Sequence, residues 1–331
     1  MAAVNTILVI RRSSIGDIIL TTPLLRELAL AFPVARIDYC TKAAFSCLLA
    51  GNPYLHAMHT FEQLPSCRYD LVVDLQNNHR SKQLVRELDA GTVVRYRKQN
   101  WKKWLLVKTR IDLTGPYRSV VDRYRDSLAE FGVNADGRGC ELHPSAADRA
   151  FASCLPESGG PRLAVCFGAM HASKRYPAAS FAAVLGALFE AKHMQALLLG
   201  GTEDVAYSQA ILQALPERFH SQVVDLAGKC SLMQSAAVLE RSDAVLCNDT
   251  GLMHMASAFE KQLFVLFGSS VSAFGFLPYR TPFELFEVQG LRCRPCSHIG
   301  RDNCPEGHFR CMVDLKAEVV ATAILDYFNT L

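Results

Sequence analysis

Short apolar runs alternate with longer amphipathic stretches along the whole chain, and this restricts its fold more than any other feature. A continuous apolar run of four to six residues is too short for a stable helix and suits a strand buried on both faces. Such strands joined by helices build parallel sheets with helices on either side. The expected strands are 7–10, 36–40, 71–75 and 93–96 in the first half, then 163–167, 196–199, 223–226, 244–247 and 263–267 in the second. Helices are expected at 23–32, 81–88, 120–131, 178–191, 204–215, 232–241 and 252–259, with Gly132 as the C-cap of the third. A polar stretch at 134–144 and the Pro/Gly-rich 156–161 place a boundary within 140–160. The expectation is an α/β chain of two Rossmann-like domains facing a cleft, 1–150 and 151–331.

Charge divides along the same line. Residues 1–145 carry a net +6 and the remainder −3, although the whole chain is only +3. The two halves are expected to face different ligands. With 50% hydrophobic and 20% charged residues the chain is neither disordered nor fibrous. It has no apolar stretch long enough to span a membrane, and the charges follow its N-terminal apolar run rather than precede it, unlike a signal peptide. A cytoplasmic location with reduced thiols is expected. Eight of the twelve cysteines, among them Cys40, Cys47, Cys166 and Cys247, fall in apolar segments and are expected in the core.

In an open parallel sheet, ligands bind beyond the carboxyl ends of the strands. The loop after the first strand, RRSSIGDIILTTP, has Gly16 in its turn and Asp17 as its one carboxylate, either a general base or a helix-start residue. In the second half, VLCNDTGLMHMASA runs from a strand through Asn248, Asp249, Thr250 and Gly251 into a helix bearing His254. That pattern fits an anion site at a helix N-terminus, and equally a capped helix with a core-facing histidine. Two neighbouring loops offer Lys174 and Arg175, then Gly200, Gly201 and Glu203. Backbone N–H groups, cations and one carboxylate suit a nucleoside diphosphate, the carboxylate meeting ribose hydroxyls.

The ordered set GDIILTTPLLREL, YDLVVDLQNNHRS, FGAMHASKRYP, LLLGGTED, LAGKCSL, CNDTGLMHMASAF and LFGSS resembles glycosyltransferase family 9, the ADP-heptose:lipopolysaccharide heptosyltransferases. The resemblance implies a GT-B fold and an inverting, metal-independent transfer of heptose from ADP-heptose to the inner core of lipopolysaccharide, with no cofactor required. It implies Asp17 as the base, Lys174 at the donor phosphates, Glu203 at the ribose, and Asp249, Thr250, Gly251, Leu252, Met253 and His254 as the family's donor block. Tyr176 stands where the family often has Trp, and Thr250 where it has Ser. With the acceptor on the N-terminal side, its expected contacts are Ser14, Gly16, Asn77, Arg80, Lys98, Lys102 and Lys103. Another nucleotide sugar, or a nucleotide-sugar-binding protein without turnover, is the alternative.

The segment 95–110 has seven Lys/Arg, no acid and both tryptophans. It suits a glycolipid acceptor or the anionic inner face of the cytoplasmic membrane, with the enzyme peripheral there; the alternative is a solvated helix whose tryptophans pack on the core. Nucleic acid is not an expected partner, since no nucleic-acid motif accompanies it. Near the C-terminus, Cys293, Cys296, Cys304 and Cys311 are spaced for a structural zinc, with a disulfide or free thiols as alternatives.

Overall fold

The computed structural model describes residues 4–63, 67–157 and 159–330. β1 (Thr6–Ile10), β2 (Arg36–Thr41), β3 (Ala57–Thr60), β4 (Tyr69–Asp74) and β5 (Ala90–Arg95) form one parallel sheet in the order β3-β2-β1-β4-β5. β6 (Arg162–Cys166), β7 (Gln195–Leu199), β8 (Val223–Asp225), β9 (Ala244–Asn248), β10 (Gln262–Phe267) and β11 (Phe283–Glu287) form a second, in the order β11-β10-β9-β6-β7-β8. The central strands β1, β6 and β9 are buried almost throughout, as a sheet covered on both faces requires. The edge strands β3 and β11 were not expected: AMHT and FELFE carry polar residues and only half-bury, so they lack a continuous apolar run.

The helices of the first half are α1 (Ile15–Ile19), α2 (Thr22–Ala31), α3 (His79–Glu87), α4 (Asn100–Thr109), α5 (Val120–Asp126) and α6 (Ala146–Ser153). Those of the second are α7 (Ala178–Ala191), α8 (Val205–Ala214), α9 (Leu232–Glu240), α10 (Gly251–Ser257), α11 (Arg310–Val313) and α12 (Ala317–Thr330). The long helix expected at 120–131 stops at Asp126 and continues as a 3-10 turn to Phe131, where Gly132 at φ +72° closes it. α6 packs on α9 and ties to it through Arg149 and Glu240, 2.7 Å apart, while α12 packs on α7. Ser158, inside the Pro/Gly-rich stretch, lies outside the described residues.

Of the eight cysteines expected in the core, Cys40, Cys140, Cys166 and Cys247 are buried, Cys67 and Cys230 are half-buried, and Cys47 and Cys154 are exposed. Cys47 is exposed because its 3-10 turn (Ala43–Leu49) buries only Leu48 and Leu49, and Cys154 because it follows the end of α6. One apolar cluster includes Ile7 and Leu71 of the first sheet together with Val245 and Val265 of the second. The two sheets therefore share buried surface. Between them α1 packs on α10, and that contact depends on two glycines. A side chain at Gly16 would land on the His254 ring, and one at Gly251 would meet Ile15 Cβ at 2.9 Å. No helix among the described residues is long and apolar enough to cross a membrane.

Candidate active site

The α1–α10 contact brings the first loop of one sheet onto the corresponding loop of the other. Asp17 is the third residue of α1, and Ser14 is its N-cap. Ser14 donates from its backbone N–H (3.2 Å) and its hydroxyl (3.1 Å) to Asp17 Oδ2. Asp17 Oδ1 lies 2.6 Å from Arg11, which follows β1, and the Asp17 side chain keeps 19% of its surface open. Burial alone would raise the Asp17 pKa, but Arg11 and Ser14 outweigh it and hold the carboxyl below its ordinary range. Asp17 is thus a residue of the first turn of α1, as one of its two readings expected, and it presents an ionised carboxylate to the cleft.

Around it gather Lys98, Lys103 and Arg123. Burial, then the neighbouring Arg11, lowers the Lys98 pKa; burial, then Arg123, lowers that of Lys103 to about 8. Among the described residues neither lysine has a carboxylate within ion-pair distance. Lys103 instead sits 5.3 Å over the ring of Phe276, and Arg123 donates to the carbonyls of Phe274 (3.1 Å) and Ala273 (3.3 Å). Both side chains therefore reach from the first half to the second.

On the opposite wall, Lys174 lies 2.7 Å from Asp249, which also accepts from the Ser270 hydroxyl. Burial would raise the Asp249 pKa, and Lys174 with Ser270 holds it down. Asn248 staples the wall together, donating to the Phe167 carbonyl at 2.6 Å and accepting from the Tyr176 N–H at 3.3 Å. Tyr176 is fully buried, its hydroxyl on the Leu315 carbonyl at 2.9 Å. His254 is buried with Nδ1 unpartnered, its ring edge-on to Phe276. Burial lowers its pKa to about 4, so it is neutral at pH 7.

Other residues named from the sequence lie further from this centre or are already engaged. Arg175 is occupied by the Ala169 carbonyl (2.6 Å), Asp204 (3.5 Å) and the ring of Tyr207. Gly200 and Gly201 form the adjoining loop, and Glu203 is exposed there. Thr250 is the N-cap of α10, Leu252 is half-buried and Met253 is core, so Met253 offers only backbone. Asn77, at φ +35°, spends its side chain on the Tyr96 carbonyl at 2.8 Å. Arg80 is exposed on the first turn of α3, and Lys102 turns over Trp101. Trp101 and Trp104 are each 60% exposed rather than packed on the core, and Ile111, Leu113 and Tyr117 continue the exposed apolar strip.

The C-terminal cysteines correct the zinc expectation. Among the described residues no three His, Cys, Asp or Glu converge to hold a metal ion, and all twelve thiols are free. Cys293 Sγ is 4.0 Å from His308 Nε2, Cys311 faces the core, and Cys304 is turned to the N–H groups of residues 306–309. Zinc–sulfur bonds need about 2.3 Å from four converging ligands. The loop instead straps the site: Arg301 and Ser173 exchange bonds of 2.8 and 2.9 Å, and Arg110 donates to the Arg292 carbonyl at 3.1 Å. His298 on this loop has its pKa lowered by burial, then by Lys103 and Lys174 from the two walls. Sequence reasoning assigned no role at this site to Arg11, Arg123, Ser270 or His298. Arg11 lay in the quoted RRSSIGD loop, Ser270 in the LFGSS block and His298 among the C-terminal cysteines, whereas Arg123 had no signal.

The family model for glycosyltransferase family 9 (heptosyltransferase) matches residues 58–304. The chain belongs to glycosyltransferase family 9. This family member is 25% identical to lipopolysaccharide heptosyltransferase 2 of Escherichia coli strain K12 across 95% of this chain and 96% of that one. Its fold matches a solved glycosyl transferase family 9 protein from Veillonella parvula (TM-score 0.79, 19% identity, 99% and 98% of the two chains). It also matches the E. coli ADP-heptose lps heptosyltransferase II (TM-score 0.76, 21% identity, 98% and 99%). The architecture is GT-B: two Rossmann-like sheets, with the strand-end loops after β1 and β9 facing each other.

Proposed function

We propose that this glycosyltransferase transfers heptose from ADP-heptose to the inner core of lipopolysaccharide, inverting the anomeric centre. The observation that carries this reading is the placement of an ionised, accessible Asp17 across the α1–α10 contact from the Lys174–Asp249 pair. The names of the relatives point to the same donor and acceptor. Asp17 takes the proton of one acceptor hydroxyl as that oxygen attacks the anomeric carbon. Lys174, oriented by Asp249, and the N–H groups of the first turn of α10 receive the charge that develops on departing ADP. Charge stabilisation by protein groups makes a metal unnecessary. Glu203 and the loop at Gly200 and Gly201 take the ribose.

The second half, with α6 packed on it, holds the donor, and the first half holds the acceptor. Lys98 and Lys103 form a cationic floor for an anionic acceptor beside Asp17. The exposed strip from Trp101 to Tyr117, flanked by Lys102, Lys108 and Arg110, lays the enzyme against the anionic inner face of the cytoplasmic membrane. A thermal-shift panel of nucleotides and nucleotide sugars tests the donor assignment, because a ligand that binds the native state raises its melting temperature. ADP and ADP-heptose should give the largest shifts. A uridine or guanosine nucleotide raising the Tm while ADP does not would refute the donor assignment.

A further inference from the structure

The Asp17 carboxylate is gripped from two sides, and the grip decides which of its lone pairs is open. A carboxylate has about four lone-pair sites, two per oxygen. Both Ser14 donors end on Oδ2, while Arg11 occupies one side of Oδ1. The remaining site of Oδ1 is the one left for an incoming proton. Arg11 is itself fixed by three other contacts. Its Nε donates to the Ser13 carbonyl (3.0 Å), its Nη1 to the Leu75 carbonyl (2.9 Å), and its guanidinium lies 5.9 Å from the Tyr124 ring centre. Leu75 follows β4 and Tyr124 belongs to α5, so separate elements of the first half hold a side chain whose residue is only 7% exposed.

We propose that Arg11 is a positioning residue for the transfer reaction, keeping Asp17 ionised and turning the open lone pair of Oδ1 toward the acceptor hydroxyl. The proposal rests on the reading of Asp17 as the base.

The other groups whose charge bears on Asp17 come from every element around it. Lys98 precedes α4 and Lys103 lies on it; Tyr39 is on β2, Tyr96 follows β5, Tyr124 is on α5, and His254 faces Asp17 from α10. Burial pushes the three tyrosines above their ordinary range, so they are neutral in the working range, as is His254. The two lysines act at longer range. Arg11 is therefore the charged group in direct contact, and without it burial of Asp17 is opposed chiefly by the Ser14 donors and the lysines.

The test is the pH dependence of kcat/KM with ADP-heptose and a heptose-deficient core acceptor, for wild type, Arg11→Met, Arg11→Lys and Asp17→Asn. An opposite charge in contact lowers a carboxyl pKa by about 1–3 units, so Arg11→Met should move the acid limb up by about that much. Misdirecting the base should also lower kcat by on the order of 10²-fold, with the KM for ADP-heptose and the ADP-induced thermal shift near wild type. Arg11→Lys should return the limb most of the way and recover only part of kcat, since an ammonium keeps the charge without the planar fork. If Asp17→Asn keeps turnover, the base reading itself fails. If Asp17→Asn is inactive while Arg11→Met keeps the wild-type limb and kcat, only the positioning inference fails. Should Arg11→Met not fold, Arg11→Lys decides: a kcat loss at unchanged donor KM supports the inference, and an unchanged kcat overturns it.

Discussion

The two walls of the cleft handle charge in opposite ways. On the second-half wall three cations are matched by carboxylates: Lys174 with Asp249, Arg175 with Asp204, Arg294 with Glu287. On the first-half wall Arg11 is matched by Asp17, whereas Lys98 and Lys103 are half-buried beside it with no such partner among the described residues. A matched wall orients a ligand whose own charge it shares with protein groups. An unmatched one is strained by its own repulsion until an anion arrives. The +6 of the first half and the −3 of the second are the large-scale form of the same division.

Four changes would break or sharpen this contrast. The largest effect belongs to His254, buried at the seam. Its pKa falls from 6.5 to about 4 on folding, so between those values the unfolded chain binds more protons and stability rises with pH. Wild type should lose about 3 kcal/mol of stability as the pH drops from 6.5 to 4, and His254→Gln should flatten that stretch of the denaturation-midpoint profile. An unchanged slope in the variant would remove His254 from the seam. Next, Lys174→Ala should weaken ADP binding by about 2 kcal/mol in calorimetric titration while leaving adenosine affinity alone, because a lysine meets a diphosphate as a point charge. Equal loss for both ligands would move Lys174 away from the phosphates.

A smaller effect is expected at Lys103, and its sign separates the two walls. With its pKa lowered to about 8, Lys103 is charged at neutral pH at a cost to the fold, and wild type should gain stability as pH rises from 8 toward 10.5. Lys103→Met should stabilise the free enzyme by about 1–2 kcal/mol after solvent screening, so that its melting temperature rises, and should raise the acceptor KM. A lowered melting temperature would mean that the lysine is already satisfied. Smallest is the effect at the exposed tryptophans of α4. Lys102→Glu combined with Trp101→Ser and Trp104→Ser should weaken sedimentation with anionic vesicles several-fold at low salt, at about 1 kcal/mol per charge, without changing ADP affinity. Wild-type vesicle binding would return the strip to an ordinary solvated surface.

Much of the fold was legible in the sequence, because a parallel strand buried on both faces, such as LAVC or VLC in the second half, leaves a run of apolar residues that no other element explains. The polar edge strands β3 and β11 leave no such mark, nor does the early end of α5, which depends on the 3-10 turn closed by Gly132. At the site, Asp17, Lys174, Asp249 and His254 lie in contiguous blocks at strand ends and could be found there. Arg123 could not be found the same way, since its partners Ala273 and Phe274 lie about 150 residues along the chain. Arg11 and Ser270 sit in strand-end blocks too, but their contacts to Leu75 and Asp249 appear only in the folded chain. The cysteine spacing misled for a related reason. Spacing predicts a metal site only if the loop turns its thiols inward, and here Cys311 is drawn into the core and Cys304 to backbone N–H groups.

The most direct test of the account is product analysis from wild-type enzyme given ADP-heptose and a heptose-deficient core glycolipid in the presence of a chelator. Mass spectrometry should find one heptose added per ADP released, and NMR of the new linkage should show the anomeric configuration opposite to that of the donor. Hydrolysis of ADP-heptose without transfer, a retained configuration, or activity restored only by added metal would contradict it.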